Sequence, residues 1–87
     1  MPEISRFYGI LIKMFFGDHV PPHFHAEYQG FKAVINIRTG EMIEGEMPIK
    51  QLKLIQAWCV IHEDELLLNF ETLRSNPASW EKVEPLK

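Results

Sequence analysis

The segment HFHAEYQGFKAVINIR, residues 23–38, decides the reading of this chain. From His23 to Tyr28, Phe24, Ala26 and Tyr28 fall on one face and His23, His25 and Glu27 on the other. This period of two marks a strand with one buried side. Gln29-Gly30 supplies a two-residue turn with glycine in the permissive place. Alternation then resumes, with Phe31, Ala33, Ile35 and Ile37 on one face and Lys32, Val34, Asn36 and Arg38 on the other. Such a turn sets the register. Tyr28 then faces Phe31, Ala26 faces Ala33 and Phe24 faces Ile35. On the polar side Glu27 faces Lys32, an opposite-charge cross-strand pair, while His25 faces Val34 and His23 faces Asn36.

Working outward, Phe7 to Phe16 reads as a preceding strand, rich in aromatic and branched residues. Gly17-Asp18 breaks it. His19-Val20-Pro21-Pro22 is a loop, because two prolines remove ladder donors. Beyond the hairpin, Thr39-Gly40-Glu41 predicts a three-residue loop and a fourth strand over 42–47. In that register Ile43 faces Ile37, Gly45 faces Ile35 and Met47 faces Ala33. Glu44 lies beside Asn36, and Glu46 beside Val34.

Pro48 opens a helical region over 48–75. Leu52, Ile55, Cys59, His62, Leu66, Phe70 and Leu73 form one stripe. Glu63-Asp64-Glu65 suits a helix start, so the region is either one long helix or one kinked near His62. Residues 77–87 read as an extended tail that docks Trp80 and Val83. The expected fold is one α+β domain over 1–87: an antiparallel meander of about four strands with the helix on one face.

Hydrophobic residues make up 46% of the 87 and charged residues 24%, a balance that excludes a disordered chain. A net charge of −3 argues against a broad nucleic-acid surface. The acid sits in the second half: beyond Gly40 nine carboxylates face five cations. The single cysteine, Cys59, forbids an internal disulfide and reads as a small buried thiol. With neither a signal-peptide pattern nor a membrane-length apolar run, a cytoplasmic protein is expected. The triplet Leu66-Leu67-Leu68 spans nearly a helical turn, so at least one leucine should point away from the core. A partner or a second copy is expected to cover such surface.

The candidate site lies on the polar face of the hairpin. His23 and His25 leave the same side of a strand, a way to offer two imidazoles to one metal. Zinc or another divalent transition metal fits, with His19 or Glu44 as a third ligand. Metal-free chemistry can also be read from the same residues. His23 and His25 can act as base and acid in cleaving RNA or another phosphodiester, with Lys32 or Arg38 near the phosphate. The blander reading is ordinary polar surface, with Lys32 paired to Glu27 and Arg38 solvated beside a turn.

The stretches MPEISRFYGILIKMFF, DHVPPHFHAEYQGFKAVINIRTGEMIEGEMP and LKLIQAWCVIHEDELL resemble the small bacterial family known as domain of unknown function 4160. The likeness runs from Met1 to about Leu86, with ISRFYGI and PPHFHAEY its most specific parts. Phe70 stands where tryptophan is common, and Val20 where asparagine is. The family has no settled activity. The resemblance implies a gene neighbour, domain of unknown function 2442, and a toxin–antitoxin type of pair. The function expected is therefore one component of a two-protein module acting through protein–protein contact. The alternative is a hydrolase using His23 and His25, which fits the small toxins that cut messenger RNA.

Overall fold

The structure is a computed structural model that describes residues 2–87. At its centre stands the hairpin of β3 (His23–Tyr28) and β4 (Phe31–Asn36). Its register is the expected one, from Tyr28 opposite Phe31 to His23 opposite Asn36. Gln29 and Gly30 make the turn at φ of 44° and 87°. Both angles are positive, which matches the right-handed twist of the strands on either side.

The sheet has five antiparallel strands in sequence order, one more than expected. The run read as a single strand over 7–16 divides in two. β1 (Glu3–Phe7) and β2 (Ile10–Lys13) flank a turn at Tyr8-Gly9, where φ is 49° and 78°. This is the turn geometry of Gln29-Gly30 again, embedded in so many strand-forming residues that its one glycine gave little signal.

The last strand, β5, covers Met42–Gly45 and stops short of the expected residue 47. Its register also differs from the expected one. Ala33 faces Gly45, Val34 faces Glu44 and Ile35 faces Met42, with an irregularity between Val34 and Ile35. The loop closes differently from the expected one, with the Asn36 N–H donating to the Glu41 carbonyl, and together with the irregularity this moves Glu44 by two positions, from Asn36 to Val34, so that it keeps its face but not its neighbour. Gly45, at φ 93°, comes so close to the Lys32 carbonyl that a Cβ would collide with it.

The helical region divides at His62 into α1 (Ile49–Ile61) and α2 (Glu63–Ser75). The three acids at 63–65 occupy the first turn of α2, where the helix dipole favours negative charge. Both helices cover one face of the sheet. Ile4, Ile10, Ile12, Phe24 and Ile35 from the strands meet Ile55, Trp58, Leu66, Phe70 and Leu73 from the helices. Trp58 is fully buried, with Phe7 5.2 Å and Phe24 5.6 Å away between ring centres. Its indole N–H donates to the Glu84 carbonyl at 2.8 Å. The expected tail opens with a short 3-10 turn, Pro77–Ser79. It then docks on the edge strand, where the Val83 N–H donates to the Ile4 carbonyl at 3.0 Å. No helix among the described residues is long and apolar enough to cross a membrane.

A candidate histidine–aspartate site beside a groove

The face of the sheet away from the helices is laid out in rows. Lys13 of β2 stands opposite His25 of β3, His25 opposite Val34 of β4, and Val34 opposite Glu44 of β5. Directly opposed residues share a face, so these four side chains run in one line across four strands. They line a groove of about 510 Å³ together with Phe15 and Lys32.

Beside His23, two residues along β3 from this row, β2 has ended, and the loop after it brings in Asp18. Its Oδ2 atom lies 2.8 Å from Nε2 of His23 and 3.4 Å from Nε2 of His25. His23 is 5% exposed. Its Nδ1–H donates to the Pro21 carbonyl at 2.7 Å, and the Phe70 ring of α2 stands 5.7 Å away. His25 is half-buried, with the ring of Phe15 edge-on at 4.3 Å. The His25 ring therefore belongs both to the cluster with Asp18 and to the wall of the groove.

The electrostatics follow from this packing. Burial alone would raise the Asp18 carboxyl. The charge of His23, the His19 backbone N–H, and hydrogen bonds from His25 and His23 outweigh burial and hold the carboxyl below its ordinary value. Burial pushes His25 down, so its ring favours the neutral form despite the nearby carboxylate.

The other expected site residues fall elsewhere. His19 is largely exposed, its Nδ1 turned to the other Asp18 oxygen at 3.3 Å. Glu44 borders the groove, yet the metal-ligating atoms that converge among the described residues belong to Asp18, His23 and His25. Neither His19 nor Glu44 is thus the third member of the cluster; Asp18 is. In the sequence Asp18 stood out only as part of the Gly17-Asp18 break, because its reach to His23 depends on how the loop folds back.

The cation of Glu27 is also corrected. Its carboxylate binds Lys13 at 2.9 Å, although Lys32 stands opposite it in the register. The Lys13 hydrogen bond is the largest influence lowering Glu27. Lys32 is exposed and lines the groove without an ion pair among the described residues. Arg38 lies past the end of β4 and outside the groove lining, where its backbone N–H donates to Asn36 Oδ1 at 2.8 Å.

A protein-family comparison matches residues 9–71 to "Domain of unknown function (DUF4160)". The chain belongs to this family. The match spans most of the sheet, α1 and the greater part of α2, and it includes Asp18, His23 and His25. The family description assigns no activity. Neither a curated protein nor a solved structure matches the chain.

Proposed function

We propose that this DUF4160 protein is a phosphodiester hydrolase whose substrate, RNA, lies in the groove beside the Asp18–His23–His25 cluster. One observation carries the reading. His25 touches Asp18 and also forms part of the wall of a groove to which Lys32 brings a cation with no ion pair among the described residues. Phosphodiester cleavage needs a group that activates a hydroxyl or a water, and a cation for the phosphate. Here both stand on one sheet face. Phe15 and Val34 add an apolar wall on which a base can rest. The overall charge of −3 is no obstacle to a short local contact. The test is cleavage of a fluorescent single-stranded RNA by untagged protein. His25→Ala should lower the rate by about 10² to 10⁴-fold, the range for removing a proton-transfer group. Lys32→Ala should chiefly raise KM. Cleavage unaffected by His25→Ala would end this reading.

A second reading is favoured by the outer surface of the helices. Val60 is 74% exposed, Ile61 64% and Leu68 68%. Apolar side chains of this size suit contact with a second small protein, as expected of a two-protein module, or with a second copy. Light scattering of the chain alone, then co-expressed with its gene neighbour, distinguishes the two. A monomer that does not co-purify with that neighbour counts against both.

A further inference from the structure

We propose that Asp18, His23 and His25 together bind one divalent transition-metal ion, zinc by preference, through Asp18 Oδ2 and the two Nε2 nitrogens. The inference names a cofactor for the hydrolase site and rests on that reading for its use, but binding is measured without any cleavage assay.

Proton accounting at His23 is the first argument. The Pro21 carbonyl can only accept, so the Nδ1 atom 2.7 Å from it must carry hydrogen. In the neutral ring Nε2 is then a bare lone pair, and it points at a carboxylate oxygen 2.8 Å away. Two acceptors at that distance would repel one another, so the position between them is one that a proton holds in the metal-free chain, as a hydrogen bond, and that a cation can take in its place. A backbone carbonyl on the far nitrogen is also the arrangement that fixes the tautomer of a metal-binding histidine.

Spacing is the second argument. The three donor atoms lie within 4.8 Å of one another. Ligands about 2.0–2.1 Å from a tetrahedral ion stand about 3.3 Å apart. The His25 to Asp18 separation of 3.4 Å, long for a hydrogen bond, already fits, and the 2.8 Å separation at His23 must open by about half an ångström. Two imidazoles with one carboxylate suit zinc and its neighbours over magnesium or calcium, which prefer oxygen alone.

Access is the third. The His23 side chain is 6% exposed and that of Asp18 16%, whereas that of His25 is 29% exposed and borders the groove. The cluster is closed on the His23 side and open towards the groove. Three protein ligands with one open position describe a site able to admit a water or a substrate oxygen, in contrast to a closed structural site.

The experiment uses the full chain without a tag, freed of metal by chelation, and titrated with Zn²⁺ by calorimetry and with Co²⁺ by visible absorption. We expect one site per chain, a cobalt spectrum of four-coordinate type, and a thermal midpoint raised by Zn²⁺. Asp18→Asn and His25→Ala should each weaken binding by about 100-fold or more, given that even the outer partners of such ligands are worth 10–100-fold. His19→Ala should leave it unchanged. Because His23 is buried, its replacement can unfold the chain, so the two other variants carry the test. No saturable binding by the folded chain, or binding untouched by Asp18→Asn combined with His25→Ala, overturns the inference. Zinc binding without RNA cleavage supports the site and removes the hydrolase reading. Cleavage that persists in chelator, by a chain that shows no saturable zinc binding, does the reverse.

Discussion

The Asp18 carboxylate and the buried His23 imidazole meet at 2.8 Å, joining the loop after β2 to the first residue of β3. The pair sits where solvent competes weakly, so its hydrogen bond is expected to matter to the fold as well as to the site. In metal-free protein, Asp18→Ala should cost about 1–3 kcal/mol, the range for leaving a buried partner unsatisfied. His25→Ala should cost less, because its bond to Asp18 is long and its ring half-exposed. Urea denaturation of both variants measures this. A larger cost for His25 than for Asp18 would reverse the assignment of which contact anchors the loop.

The leucine triplet offers a sharp contrast on one helix. Leu66 is fully buried and Leu68 is 68% exposed. Leu66→Ala should lose about 2–5 kcal/mol through the cavity it opens. Leu68→Ser should change the stability of the isolated chain by no more than about 0.5 kcal/mol. Comparable losses, measured by thermal and chemical unfolding, would mean that Leu68 is covered in solution.

Two glycines with positive φ should respond differently to alanine. Gly30, at φ 87°, has open space around it, so Gly30→Ala carries only the left-handed backbone cost of about 1–2 kcal/mol. At Gly45 the added methyl meets the backbone of Lys32 and Ala33 as well. Gly45→Ala should be clearly the more destabilising, and should loosen β5. Faster amide exchange confined to residues 42–45 and their β4 partners is the expected signature, and equal effects at the two glycines would refute the close approach.

Cys59 should be inert in the native protein. It is 1% exposed, and its thiol donates to the Ile37 carbonyl at 3.3 Å. Burial, helped by the charge of Glu63, pushes the thiol up from 9.0 to about 11. Because the folded value lies above the unfolded one, the neutral thiol favours folding below pH 9. That contribution is lost as pH rises from there towards 11. At pH 8 a disulfide reagent should label denatured protein quickly and native protein only at the rate of opening. Fast labelling of native protein would show that the thiol is accessible.

Legibility in the sequence followed the range of the interactions. The hairpin at 23–36 was readable because alternation, turn chemistry and the charge pairing of facing residues all bear on the same few neighbours. The break at His62 was readable as one of two alternatives, since three consecutive acids favour a new helix start. The Tyr8-Gly9 turn was concealed because the residues around it all favour strands, and one glycine must outweigh them. At β5 the face of Glu44 was predictable from the period of two, but its neighbour was not, because the loop closure and the irregularity after it together reset the pairing.

By itself the sequence determined the α+β class, the central register, and that His23 and His25 begin on one side of a strand, because each depends on residues close in the chain. Which groups meet them was decided by the tertiary structure alone. Asp18 is close to the histidines in sequence, yet a loop with two prolines lies between, and its path is set by what it packs against. The Gly17 N–H donates to the Leu73 carbonyl of α2, and the Ile37 N–H donates to the Pro22 carbonyl. Those long-range bonds seat the loop, turn the Asp18 carboxylate onto both imidazoles and leave His19 in solvent. Lys13 takes Glu27 from Lys32 in the same way, through the strand pairing of β2 with β3. Period and propensity describe how a segment faces its own neighbours; only the closed fold specifies which distant segment arrives opposite.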